Sequence, residues 1–204
     1  MDISGSIALV TGANGGIGRV FVADLLKRGA AKIFVAARDT ASLGSLLRDG
    51  DLRLVPLPLD VTDPDQVAAA ASVAHDVTLL INNAGYAAFE GAIAATDMDD
   101  ARREMEVNYF GTLAMTRAFA PRLAEAGGGA VLNMLSMLSL VSLPMAATYS
   151  ASKAAGLSLT RSIRAELAAQ GTQVVGVLAV QTDTAMGAAS GAPHDAARSR
   201  LGCA

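Results

Sequence analysis

The chain of 204 residues has no tryptophan, a single cysteine, two histidines and only 4% aromatic residues. The cysteine, Cys203, sits next to the C-terminus, so no internal disulfide can form and no thiolate cluster is available for zinc. Charge is scarce as well: 17% of residues are Asp, Glu, Lys or Arg, and the formal net charge is −3. That balance leaves no basic field for nucleic acid or an anionic membrane surface. Long apolar runs are missing too. Although 52% of residues are hydrophobic, no stretch approaches the roughly 20 residues of a membrane-spanning helix. Asp2 leads directly into a strand-like segment, with no signal-peptide pattern, so a cytoplasmic protein is expected.

What the chain does have is alanine, valine, leucine and 20 glycines. Its length suits one domain with a sizeable core. Short apolar runs without polar alternation suit strands buried on both faces of a parallel sheet. Six such runs occur, at 7–10, 32–37, 54–57, 77–81, 130–135 and 174–178. Pro56 in the third favours a sheet edge, because proline cannot donate to the ladder. Helical patterns lie between them, at 20–27, from Asp63, at 97–126 and at 147–169. Asp63-Pro64-Asp65-Gln66 reads as a helix start, with Asp63 as N-cap, Pro64 at the first position and Gln66 reaching back. The alternation predicts an α/β fold of one domain, a doubly wound parallel sheet of the Rossmann type with six strands. The domain is expected over 1–186, with 187–204 as a loop or partly ordered tail.

Two stretches carry candidate chemistry. Gly12, Gly16 and Gly18 lie between the first strand and the first helix. There, glycines allow a tight turn and let a dinucleotide pyrophosphate approach backbone N–H groups at the positive end of the helix. The second strand ends Ala37-Arg38-Asp39, where the adenosine ribose is normally read. Arg38 can pair with a 2′-phosphate and favours NADP(H) over NAD(H); Asp39, if it faces the ribose instead, returns the choice to NAD. Asp60, after the third strand, suits either the adenine amino group or the backbone donors of its own turn. In the other stretch, Tyr149 and Lys153 are one helical turn apart and share a face. An ammonium beside a phenol favours the phenolate, and Ser136 offers a hydroxyl for a substrate oxygen. Alone, the spacing describes an ordinary helix face equally well.

Taken in order, these motifs resemble the short-chain dehydrogenase/reductase family in its compact form. They are Thr-Gly-x-x-x-Gly-x-Gly at Thr11 to Gly18, Asn-Asn-Ala-Gly at Asn82 to Gly85, Asn108 within Val107-Asn108-Tyr109-Phe110-Gly111, and Ser136, Tyr149 and Lys153. The resemblance implies hydride transfer between a nicotinamide and a hydrophobic carbonyl or secondary alcohol. Tyr149 would be the general acid or base, Lys153 would lower its pKa and hold the nicotinamide ribose, and Ser136 would polarise the carbonyl. Asn108 would distort its helix and hold a water in a proton relay. The implied cofactor contacts are Gly12, Asn14, Gly15, Gly16, Ile17, Gly18, Arg38, Asp60, Val61, Asn83, Ala84, Gly85, Tyr149, Lys153 and Thr184. No metal is implied. Family members pair through the two long helices, so a homodimer or homotetramer is expected.

The pattern departs from the family after the sixth strand. Val180 stands where a glycine is usual, and Asp183-Thr184-Ala185-Met186 is present. Family members continue for some tens of residues beyond this point, so the substrate pocket is expected to be open on one side. Met137, Leu138, Leu143, Met145 and Met186 are expected to line it. A second reading follows from the short end: a nucleotide-binding family member with little or no turnover. His75 and His194 lie outside the motifs and are expected at the surface.

Overall fold

The computed structural model describes residues 2–180; Thr184, Met186, His194 and the expected tail lie outside the described residues. Six strands form one parallel sheet: β1 (Ile7–Thr11), β2 (Lys32–Ala37), β3 (Leu54–Pro58), β4 (Leu79–Asn82), β5 (Gly129–Ser136) and β6 (Thr172–Ala179), in the spatial order β3-β2-β1-β4-β5-β6. The doubly wound architecture expected from the alternating pattern is borne out. The helices are α1 (Gly16–Lys27), a short α2 (Gly44–Leu47), α3 (Pro64–Val73), α4 (Asp99–Met105), α5 (Thr112–Glu125) and α6 (Ala147–Glu166).

The sheet separates two apolar layers. Leu9, Phe34, Leu80 and Val131 face one, with Met115, Phe119 and Leu123 of α5. Ala8, Val10, Ile33, Val35 and Ile81 face the other, with Val22 and Leu25 of α1. Alternate residues of one strand therefore enter opposite cores, which is why the strands read as continuous apolar runs rather than alternating ones. Pro56 pairs on one side only, because β3 is a sheet edge, as its proline required. Among the described residues β6 is the other edge, and Val175 and Leu178 on it are exposed.

Local signals fixed several element ends. Asp63 caps α3 by accepting from the N–H groups of Asp65 and Gln66, with Pro64 in the first turn. Gln66 does reach back, but its Oε1 accepts from the Asp60 N–H at 2.8 Å while its Nε2 donates to Asp63 at 2.7 Å. The cap thus extends into the turn that carries Asp60. Two boundaries differ from the sequence expectation. Helix α1 begins at Gly16, since the glycine turn runs straight into it. The 97–126 helical region is not one α-helix: Glu106–Gly111 between α4 and α5 forms a π-helical segment.

A buried polar chain crosses the sheet between α5 and α6. The Asn82 side chain donates to Thr116 and to Asn133, and Asn133 donates in turn to Thr160. These four residues are all buried, and they tie β4 and β5 to the helices on the active face. Removing one member leaves its partners unsatisfied. Asn133→Ala is expected to destabilise the protein by about 2–3 kcal/mol, measured by urea unfolding.

Candidate active site

A cleft opens at the C-terminal edge of the sheet, where β1 has β2 on one side and β4 on the other. This is the point at which strand order reverses, the position at which doubly wound sheets bind ligands. Gly12, Asn14, Arg38, Asp60, Val61, Ala84 and Gly85 line it, together with Tyr86, Arg103 and Val107. Gly12 has φ +62, and a Cβ there would lie 3.1 Å from the Ala84 backbone. A Cβ on Gly18 would lie 2.3 Å from the Gly12 carbonyl oxygen, so the turn and the first turn of α1 can pack only as glycine. Gly15 caps α1 without a side-chain partner, and no acidic residue occupies the first turn. A glycine cradle ending in helix N–H groups that no side chain caps fits a dinucleotide pyrophosphate.

The remaining predicted contacts sort by position. Gly15 and Gly16 are exposed on the loop, Ile17 is half-buried, and Gly18 is buried beneath the turn. Asn83 turns back: its amide donates to the carbonyls of Thr11 and Gly12 at 2.9 and 3.1 Å, bracing the glycine turn. Thr11, which sequence reasoning did not single out, accepts from both the Asn83 and Ala84 N–H groups at 2.9 Å. It was legible as the first residue of the glycine motif. Asp39 caps the short turn Thr40–Leu43 by accepting from the Ala41 N–H, whereas Arg38 is exposed at the cleft and makes no ion pair among the described residues. Asp60 satisfies its own turn, accepting from the N–H and hydroxyl of Thr62 at 3.0 and 2.7 Å. Thr184 lies outside the described residues.

Beyond the cleft, Tyr149 and Lys153 are brought together on the inner face of α6. Both are buried, with Lys153 Nζ 5.7 Å from the tyrosine ring centroid. Lys153 donates to the Met134 carbonyl at 3.0 Å, and burial lowers its pKa from 10.5 to about 8. The tyrosine departs from the sequence expectation. Its pKa is raised, chiefly by burial, with the Ser136 hydroxyl pulling it down and the Glu104 charge pushing it up. The Lys153 ammonium, 5.7 Å from the phenol ring centroid, gives its hydrogen bond to the Met134 carbonyl. Ser136 ends β5 and accepts from the Leu138 N–H at 3.1 Å. Its hydroxyl also faces the phenol, and a hydrogen bond from it is what draws the Tyr149 pKa down.

Asn108 sits in the π-helical segment, so the expected helix distortion is present. Its side chain, however, holds protein groups. Oδ1 accepts from the Tyr86 N–H at 2.9 Å, and Nδ2 donates to the Tyr86 carbonyl at 2.8 Å and to Ser152 Oγ at 2.9 Å. Ser152 donates onward to the Tyr149 carbonyl at 2.8 Å. Asn108 Oδ1 and Lys153 Nζ also converge on Gly85, whose Cβ would lie 3.3 and 3.6 Å from them. Sequence reasoning missed Ser152, although its place inside Tyr149-Ser150-Ala151-Ser152-Lys153 was a usable signal. It also missed Glu104 and Phe89. Glu104 is fully buried and accepts from the Ala88 N–H at 2.9 Å. Phe89 places its ring 5.6 Å from that of Tyr149. Neither carries a signature, because the burial of one charge and the backbone angle of one aromatic are not written in spacing.

The buried ammonium has a consequence for stability. The native state binds the Lys153 proton more weakly than the unfolded chain does, so the unfolded state carries more protons between about pH 8 and 10.5. The cost of burying the charge is therefore present in full below pH 8 and is relieved as pH rises through that window. Lys153→Met is expected to stabilise the protein by roughly 1–3 kcal/mol at pH 7, the loss of one hydrogen bond included. Urea unfolding at pH 7 and near 10 checks this, with the advantage shrinking at the higher pH.

Comparison with known proteins agrees with this fold. The family described as short chain dehydrogenase matches residues 6–195. A dehydrogenase/reductase SDR family protein 7-like of Drosophila melanogaster is 33% identical over 82% of this chain and 54% of its own length. The NADPH-dependent 1-acyldihydroxyacetone phosphate reductase of Schizosaccharomyces pombe is 35% identical over 83% of this chain and 57% of its own. The chain thus spans little more than half the length of these curated relatives. A short chain dehydrogenase from Burkholderia cenocepacia, solved in complex with NADP, is 48% identical and superposes with a TM-score of 0.86 over 91% of this chain and 76% of its own. With an ordered motif set, a six-stranded doubly wound sheet and a matching family model, this chain belongs to the short-chain dehydrogenase/reductase family of oxidoreductases.

Proposed function

We propose that this protein is an NADP(H)-dependent oxidoreductase acting on a hydrophobic carbonyl or the matching secondary alcohol. The observation that carries the reading is the meeting of buried Tyr149 and Lys153 with half-buried Ser136 in one cluster beside the glycine cleft. A bound nicotinamide supplies the redox chemistry, exchanging a hydride with the carbonyl carbon. Tyr149 gives a proton to the carbonyl oxygen in reduction and takes it back in oxidation. A phenol whose pKa is raised by burial stays protonated at neutral pH, which suits the reductive direction. Ser136, whose hydroxyl stands beside the phenol, donates to the same oxygen and polarises it. Lys153 holds positive charge at the floor of the site and binds the nicotinamide ribose. Asn108 orients this group through Ser152 and the Tyr86 backbone.

NADP(H) is favoured over NAD(H) because Arg38 lies exposed at the cleft, without an ion pair among the described residues, while Asp39 is engaged in capping. The NADP complex of the 48% identical Burkholderia protein supports the same choice. Exposed Met137, Leu143 and Met145 beside α6 favour an apolar substrate. Exposed Phe110, between α4 and α5, favours assembly of copies through this long helical region and α6, as a homodimer or homotetramer.

Tyr149→Phe is expected to lower kcat about 10²–10⁴-fold, measured as NADPH oxidation with a panel that includes acetophenone, cyclohexanone and decanal. Turnover at the wild-type rate would remove Tyr149 from the chemistry. Arg38→Ala is expected to raise KM for NADPH about tenfold with little change for NADH, as loss of a charge-assisted contact to a 2′-phosphate predicts. Equal effects on both cofactors would assign Arg38 no part in the choice. Analytical ultracentrifugation is expected to give a dimer or tetramer, and a monomer would refute the assembly.

A further inference from the structure

The connection from β4 to α4 contains no helix or strand, yet it carries the one non-glycine residue with a left-handed backbone among the described residues. That residue is Phe89, at φ 57. A bulky side chain adopts this conformation only where its surroundings impose it, and such positions concentrate at functional sites. The Phe89 ring rests against Tyr149, with centroids 5.6 Å apart and planes inclined at 48°.

The preceding residue shows what imposes it. The Ala88 N–H is given to Oε1 of Glu104, on α4, at 2.9 Å. Glu104 is fully buried, and its Oε2 has no hydrogen-bond partner among the described residues. A carboxylate in that setting is costly, whereas an aliphatic side chain would pack there without penalty. Glu104 lies one turn before Asn108, on the inward face where an apolar residue belongs. The feature that an apolar side chain could not supply is an acceptor for the Ala88 N–H.

We propose that Glu104 is a positioning residue: by holding the Ala88 N–H it keeps Phe89 in its left-handed conformation and its ring against Tyr149, so that α4 sets an aromatic wall of the substrate site. This rests on the reading of Tyr149 as the acid–base group. The titratable and charged groups around the pair come from several elements. Lys153 faces Tyr149 from its own helix, and Ser136 faces it from the end of β5. Tyr86 lies beside Glu104, its hydroxyl given to Asp100 at 2.5 Å and its ring under the Arg103 guanidinium at 4.4 Å. Because Glu104 repels a phenolate at Tyr149, its charge and its acceptor can be separated by substitution.

The test uses Glu104→Gln, Glu104→Ala and Phe89→Ala in the full chain, each checked for folding by circular dichroism and cooperative unfolding. Amide hydrogen exchange by mass spectrometry reads the peptide covering Ala88 and Phe89. In Glu104→Ala that peptide is expected to exchange at least about tenfold faster than wild type, with the β-sheet peptides unchanged. Glu104→Gln, which keeps the acceptor, is expected to stay within about twofold of wild type. In the same variant the ionisation of Tyr149 moves to lower pH, because the repelling charge is gone; ultraviolet difference titration against Tyr149→Phe reads this. With acetophenone, KM is expected to rise about fivefold to tenfold in Glu104→Ala and Phe89→Ala, to be restored in Glu104→Gln, and to leave KM for NADPH unchanged. Wild-type exchange at Ala88 and Phe89 in Glu104→Ala overturns the proposal. So does a folded Glu104→Gln that restores neither exchange nor KM, or a Phe89→Ala with wild-type KM. If Glu104→Ala does not fold, Glu104→Gln and Phe89→Ala decide. A wild-type protein that turns over no carbonyl counts against the proposed function alone, since exchange and titration still decide the role of Glu104.

Discussion

The burial of the Lys153 ammonium sets terms that the surrounding structure has to meet. A desolvated positive charge is unfavourable wherever it lies, and here the described protein groups answer it with one backbone carbonyl, that of Met134 on β5. That contact holds only if α6 keeps its register against β5. Close packing keeps it: a Cβ on Gly156 would come within 3.3 Å of Leu135, so helix and strand approach as closely as glycine allows. The buried chain from Thr116 through Asn82 and Asn133 to Thr160 locks the same interface with directional bonds. Apolar contact alone would tolerate sliding; hydrogen bonds across the sheet do not.

A second set of constraints runs through the α4–π–α5 segment. Because the π turn inserts an extra residue, it changes which side chains face inward on either side of it. Arg103 is thereby presented to the cleft, Glu104 to Ala88 and Asn108 to the Tyr86 backbone and Ser152. One helical segment touches the cofactor cleft, the wall beside the tyrosine and the helix that carries Tyr149. A displacement of this segment would reach all three together, which makes it the structural link between the glycine cleft and the Tyr149 cluster.

Much of this was legible in the chain. The six strands, their parallel doubly wound order and the edge position of β3 follow from unbroken apolar runs, alternation with helices and Pro56. The cap at Asp63 follows from local chemistry. So does the glycine turn, since Gly12 and Gly18 sit where a Cβ would strike backbone. The grouping of Ser136, Tyr149, Lys153 and Asn108 follows from the ordered motifs. Less legible was what each polar group does once buried. Asn83 braces the turn rather than projecting into the cleft, Asp60 serves its own turn, and Asn108 is occupied by protein partners. Side chains of these types have several possible hydrogen-bond partners, and spacing does not choose among them.

The sequence by itself determined the fold and the family, because these depend on periodicity and on residue types at set intervals. Tertiary structure decided the electrostatics. Whether the lysine or the burial of the phenol governs Tyr149 depends on distances between segments far apart in the chain, and burial dominates here. It also decided that Glu104, one charge among several on α4, ends fully buried and accepts from the Ala88 N–H, next to the Phe89 that rests on Tyr149. Desolvation is a property of the packed whole, and no residue carries it alone.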